Sequence, residues 1–187
     1  MLGFVERYRC GLTISAQSPI LNAVSVAKNL MQQPWTHYLQ ASLDRHPNVG
    51  RLVELCEENF LYLQKLLPEL REMRGCYCSR GSEHADLFLE VVEHARYTSI
   101  VHLTYYFEQD HGREPEPDVL LKVYHDAEQV EVIDLKQSSL PVHSLYEAPG
   151  LLNKWQVNLF VSKWLAFCVY QGHHFSPQKS RELAEAL

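Results

Sequence analysis

Residues 97–107, YTSIVHLTYYF, alternate in character: Tyr97, Val101, Leu103, Tyr105 and Phe107 fall on one parity, Thr98, His102 and Thr104 on the other. Successive side chains of an extended chain point to opposite sides, so the run makes one apolar and one polar face, as a strand covered on one side requires. This commits the chain to a half-buried sheet. DLFLEVVEHA (86–95) is apolar on both parities, as in a central strand with two covered faces or a short buried helix. DVLLKVYHD (118–126) and QVEVIDL (129–135) are separated by few polar residues, which predicts a hairpin with strands at about 118–125 and 129–135. QDHGREPEPD (109–118) is expected to be an exposed loop, since its two prolines and its charges do not suit a sheet interior. CYCSRGSEH (76–84) is expected to be a polar loop as well.

Two helical runs flank the strands. Leu52, Leu55, Cys56, Asn59, Leu63, Leu66 and Leu67 recur at the spacing that lays one stripe along a helix. The helix ends near Leu67, because Pro68 disfavours the helical conformation of the residue before it, or kinks there into ELREMRG with Gly75 as the stop. In residues 151–171, Val157, Phe160, Val161, Trp164, Leu165, Phe167 and Cys168 cover more than half of a helix circumference, which predicts the most buried helix, terminated at Gly172. The expected class is α+β: a four-stranded, mainly antiparallel sheet with two principal helices, about 49–67 and 151–171, packed on one face. Residues 1–47 form an extension in which SPILNAVSVAKNLM can make one amphipathic helix before Pro34 and Pro47 break the chain. That segment is either outside the core or a helix packed on it, and Met31 is an alternative start. The domain proper spans 48–174, and 175–187 is expected to be a flexible tail.

At 187 residues with 46% apolar and 21% charged side chains, the chain is long enough to bury a core without disulfides or metal. A formal charge of −6 disfavours a nucleic-acid partner, because phosphate neutralisation needs a concentrated basic face. No apolar run approaches the about 20 residues of a membrane span, and charges interrupt the first ten residues where a secretory signal would be apolar. These features lead to a cytoplasmic expectation, in which the scattered Cys10, Cys56, Cys76, Cys78 and Cys168 are thiols.

The blocks LVELCEENFLYLQKLLPELR, ARYTSIVHLTYYFEQ, LLKVYHDAEQVEVIDL and NKWQVNLFVSKWLAFCVYQGH occur in that order across residues 48–174. In these blocks the chain resembles the YqiB-like family of uncharacterised bacterial proteins, which carry a domain of unknown function. The resemblance implies a compact cytosolic domain and assigns no activity, cofactor or residue role.

Each candidate for chemistry therefore stands on physical grounds. Cys76 and Cys78 have CxC spacing with His84 and His94 near in sequence, but no second cysteine pair follows; they are read as loop thiols, with no metal and no cofactor expected. Cys56 and Cys168 lie on apolar stripes and are read as packing residues. Asn59 and Asn158 interrupt apolar helices and, if buried, are expected to tie helix to sheet. Arg96, beside Tyr97 and Thr98 at a bend between strands, can grip a phosphate or carboxylate. Tyr124, His125 and Asp126 are consecutive, so His125 faces the opposite way from the other two and would need a partner from another strand, with Tyr105 or His102 the candidates. The favoured reading makes them a hairpin junction in which Asp126 accepts from the amide two residues on and the His125 ring faces solvent. Arg96, Tyr124, His125 and Asp126 are the candidate ligand-binding residues; no catalytic residue is assigned. The expected function is a non-enzymatic binding or regulatory module for an unknown protein partner. The alternatives are a small enzyme or sensor for an anionic metabolite, and a structural homo-oligomer.

Overall fold

The computed structural model describes residues 48–81, 85–109, 112–137 and 150–177. In chain order these form α1 (Val49–Leu66), β1 (Gly75–Ser79), β2 (Leu87–His94), β3 (Thr98–Gln109), β4 (Gly112–Tyr124), β5 (Gln129–Lys136) and α2 (Leu151–Tyr170), with a 3-10 turn at Leu70–Glu72. The strands pair only with their chain neighbours, in the order β1-β2-β3-β4-β5, and every pair is antiparallel. The α+β class with two helices on an antiparallel sheet holds; among the described residues the strand number is five rather than four.

The additional strand is β1, in the segment expected to be a polar loop. It has only two core-facing positions, Tyr77 and Ser79, too few for alternation to stand out among polar residues. The 109–118 segment is also corrected. Glu114 and Pro115 pair with Phe107 and Tyr106 across β3, while β5 joins β4 only from Asp118 onward. Residues 112–117 thus lie at an edge, where a proline without an N–H leaves no ladder bond unmade. Tyr97 precedes β3 and is 53% exposed instead of belonging to its apolar face.

α1 starts at Asn48, whose side chain accepts from the Arg51 amide at 2.9 Å, and turns Leu55, Asn59, Leu63 and Leu66 inward before stopping ahead of Pro68. α2 is buried on nearly all sides, with Trp155, Val157, Phe160, Val161, Trp164, Leu165 and Cys168 in the core. Past its end, Gly172 adopts φ 78°, a left-handed conformation that suits glycine, and the His173 amide returns to the Cys168 carbonyl at 3.1 Å. The two helices run side by side in the same direction against each other and β5: Glu58 meets Lys163 at 3.7 Å, and the Phe175 amide donates to the Leu66 carbonyl at 2.8 Å. The Phe175 ring is buried with the core.

The covered face of the sheet carries Tyr77, Leu87, Leu89, Val91, Val101, Leu103, Tyr105, Val119, Leu121, Val123, Val130, Val132 and Leu135. Two register shifts position polar groups. Between β4 and β5, the Leu120–Asp134 pair is followed by Leu121–Val132, so Ile133 is extra. The Val132 amide there donates to Asn158 Oδ1 at 3.4 Å, and Asn59 Nδ2 donates to the same oxygen at 3.3 Å, which makes the expected helix-to-sheet tie. Between β2 and β3, Val91–Val101 is followed by Glu93–Ile100 and His94–Ser99, so Val92 is extra and His94 joins the covered face. The expectations for the N-terminal helix, Met31 and His84 fall outside the described residues.

Candidate binding site at the end of the sheet

The β2–β3 turn and the β4–β5 turn lie side by side, joined by the His125 amide donating to the Tyr97 carbonyl at 2.9 Å. This bond extends the β3–β4 ladder by one step and turns the His125 side chain onto the covered side, beside Ser99. Ser99 Oγ lies 2.8 Å from His94 Nδ1 and 2.8 Å from His125 Nε2. The ring centroids are 5.9 Å apart. A hydroxyl has one proton, so with both rings neutral it donates to one imidazole and accepts from the N–H of the other. Ser99 is buried, His125 is 9% exposed, and His94 is half-buried at the rim.

Burial and the nearby guanidinium groups of Arg74 and Arg71 hold His94 below its ordinary pKa of 6.5. Burial, Arg71 and His94 act likewise on His125, against an opposing contribution from Asp126. Both rings are therefore favoured as neutral near pH 7. Arg71 and Arg74 are exposed and come from the 3-10 turn and the residues just after it. Arg74 Nη1 is braced on the Arg71 and Met73 carbonyls at 2.9 and 2.6 Å.

Of the candidate residues, His125 stands at the centre of this cluster, and its ring is buried rather than turned to solvent. Its partner is Ser99, not Tyr105 or His102. Tyr105 Oη lies 3.4 Å from Cys168 Sγ, and His102 sits on the opposite face of the sheet, hydrogen-bonded to Asp118. Arg96 is exposed at the neighbouring turn, with its guanidinium carbon 5.0 Å from the Tyr97 ring centroid. Tyr124 points to the other face, where its hydroxyl donates to Glu131 Oε2 at 3.3 Å and Lys122 approaches its ring. Asp126 Oδ1 accepts from the Ala127 amide at 3.1 Å, one residue on rather than two, and Glu128 at φ 52° completes the reversal. Sequence reasoning did not select Ser99, Arg71 or Arg74, and it considered His94 only as a metal ligand. The one available signal was His94, Ser99 and His125 each near a strand end.

The thiols are not activated. Burial pushes Cys56 up to about 11 and Cys78 and Cys168 up to about 12. Cys76 is disulfide-bonded, which corrects the expectation of thiols throughout; a half-buried side chain on an edge strand is within reach of other chain segments. Among the described residues, no group of three or more His, Cys, Asp or Glu is placed to hold a metal, and no helix is long and apolar enough to cross a membrane.

Fold and site together define an α+β domain with a five-stranded antiparallel meander, two helices on one face and a polar cluster at one end of the sheet. The chain belongs to the family described as "Protein of unknown function (DUF1249)", which matches residues 62–174. It is 28% identical over 137 residues to "Uncharacterized protein YqiB" of Escherichia coli strain K12 and of Escherichia coli O157:H7, an alignment covering 67% of this chain and 91% of each relative. No solved structure matches the chain.

Proposed function

We propose that this domain is a cytoplasmic binding or regulatory module whose contact point is the sheet end formed by His94, Ser99, His125, Arg71 and Arg74. The observation that carries this reading is the single buried hydroxyl shared at 2.8 Å by two imidazoles, one at the surface rim, at the end of the sheet where Arg74 precedes β1 and where the exposed Arg71 acts on both rings. Burial and neighbouring cations favour the neutral form of both rings, a balance that an added anion would tip towards the protonated, hydrogen-bond-donating form. The high thiol pKa values support binding over nucleophilic chemistry.

The test is amide hydrogen exchange of the full chain with and without a concentrated low-molecular-weight extract of Escherichia coli. Protection concentrated at residues 94–99 and 123–127 is the expected result. No protection, or protection confined to other segments, removes this end of the sheet as the contact point.

A further inference from the structure

Resting on the reading of this end as the contact point, we propose that Arg71, Arg74, His94 and His125 form a site for a doubly charged tetrahedral oxyanion, free or at the end of a small metabolite, and that binding is accompanied by proton uptake. Two imidazoles meet at Ser99, and Arg74 lies at the same end of the sheet, just ahead of Gly75 opposite Val91. Arg71 acts on both rings; among the described residues, the opposing group that acts on them is the exposed carboxylate of Asp126, at the turn. The carboxylate next along β2, Glu93, pairs with Ile100 and so lies on the other face of the sheet.

Each imidazole uses one nitrogen on Ser99, Nδ1 of His94 and Nε2 of His125. In a five-membered ring the second nitrogen then points away from the serine. Protonated, it becomes an N–H donor that, together with the guanidinium groups, makes a donor set suited to phosphate or sulfate oxygens. Without an anion, a proton added to His94 meets Arg74 and Arg71, and one added to His125 meets Arg71 and His94, so the neutral rings are favoured. A dianion removes that repulsion and favours the charged rings, and by linkage a ligand that raises a pKa binds more tightly as the pH falls. Ser99 is suited to both states: as an acceptor with two lone pairs it can take an N–H from each ring once both are charged.

Inorganic sulfate is the appropriate probe, because its charge is constant between pH 5.5 and 7.5, whereas phosphate itself titrates there. Imidazole proton resonances of the full chain, titrated with sulfate at a series of pH values, report both affinity and protonation. Sulfate is expected to bind at least about fivefold more tightly at pH 5.5 than at pH 7.5, below the limit of about tenfold per pH unit for each proton taken up. The titration midpoints of His94 and His125 should rise when sulfate is present.

Arg71→Gln changes an exposed side chain and should leave the fold intact. It should weaken sulfate binding by about tenfold, the scale of one lost charge-assisted contact, and raise both midpoints in sulfate-free buffer. A merely structural arginine would not move those midpoints. Comparing sulfate with glycerol 3-phosphate at one pH separates the sources: tighter binding of the ester means that the oxyanion arrives on a metabolite, and equal binding means that it is free. Affinity independent of pH, or imidazole resonances that sulfate leaves unmoved, would overturn the inference. The contact-point reading falls separately, only if the extract gives no protection at the strand ends.

Discussion

His125 and Asp126 are adjacent in sequence and do different work. Asp126 is exposed and holds one amide of a turn, so Asp126→Ala should cost less than about 1 kcal/mol, the lower part of the range for a lost capping oxygen. His125 is buried against Ser99, so its removal leaves a hydroxyl under-bonded in a dry environment. Ser99→Ala and His125→Ala should each cost about 1–3 kcal/mol in urea unfolding, and the double substitution should cost less than their sum because both break the same bond. Equal, negligible losses at 99, 125 and 126 would mean that the network has no energetic content. The expectation that the His125 ring faces solvent failed for a definite reason. Alternation shows that His125 and Tyr124 point to opposite sides, but it does not say which side the helices cover.

At the scale of elements, the longer and more regular runs are legible in the sequence. α1 and α2 followed from stripes at Leu55, Leu63 and Leu66 and around Trp164, and the β4–β5 hairpin from the runs on either side of residues 125–128. What could not be read lies where pairing departs from regularity. β1 offers two inward positions, the edge portion of β4 tolerates prolines that a central strand would not, and bulges leave no compositional mark. Asn158 shows the cost of such a departure, because it accepts from the Val132 amide beside the extra Ile133 and from Asn59 on α1. Asn158→Ala should therefore destabilise by about 2–4 kcal/mol, since the Val132 N–H loses its acceptor inside the core and the Asn59 amide keeps only the residue 158 carbonyl. Asn158→Asp, which keeps an acceptor oxygen but buries a charge, should not restore stability. A loss below about 0.5 kcal/mol for the alanine variant, measured by denaturant midpoint, would show that the tie is dispensable.

For the molecule as a whole, the acid side of the stability curve should fall in two stages. His94 and His125 are both held below 6.5 by burial and by neighbouring arginine or imidazole groups, so just below that pH the unfolded chain binds more protons than the folded one. Their stabilisation is complete above about pH 6.5 and is lost as the pH drops towards the depressed folded values. Asp118 is penalised by burial, but the hydrogen bond and charge of His102, with Lys136, outweigh that and hold it below its ordinary 3.8. Its contribution is present above 3.8 and disappears as the pH falls through the folded value. Asp134 is displaced upward, chiefly by burial, so its ionised form costs stability that is regained on protonation and partly offsets the second stage. Urea midpoints in chloride buffers should decline from pH 7.5 to 5.5, and Arg71→Gln should shallow that decline. A flat profile over this interval would show that the imidazoles are not held neutral.

The extra Val92 on β2 makes the chemistry at Ser99 depend on strand register as well as on side-chain identity. Before the shift, paired positions of β2 and β3 sum to 192, as in Val91–Val101; after it they sum to 193, as in His94–Ser99. Were β2 and β3 to pair without that shift, the partner of Ser99 would be Glu93, whereas loss of Val92 itself would leave His94 in place. An imidazole that can gain a proton would give way to a carboxylate that can only lose one, and the corner would favour cations. The place at which one residue of β2 goes unpaired thus sets the ionic preference of this corner, without a substitution at any residue that forms it.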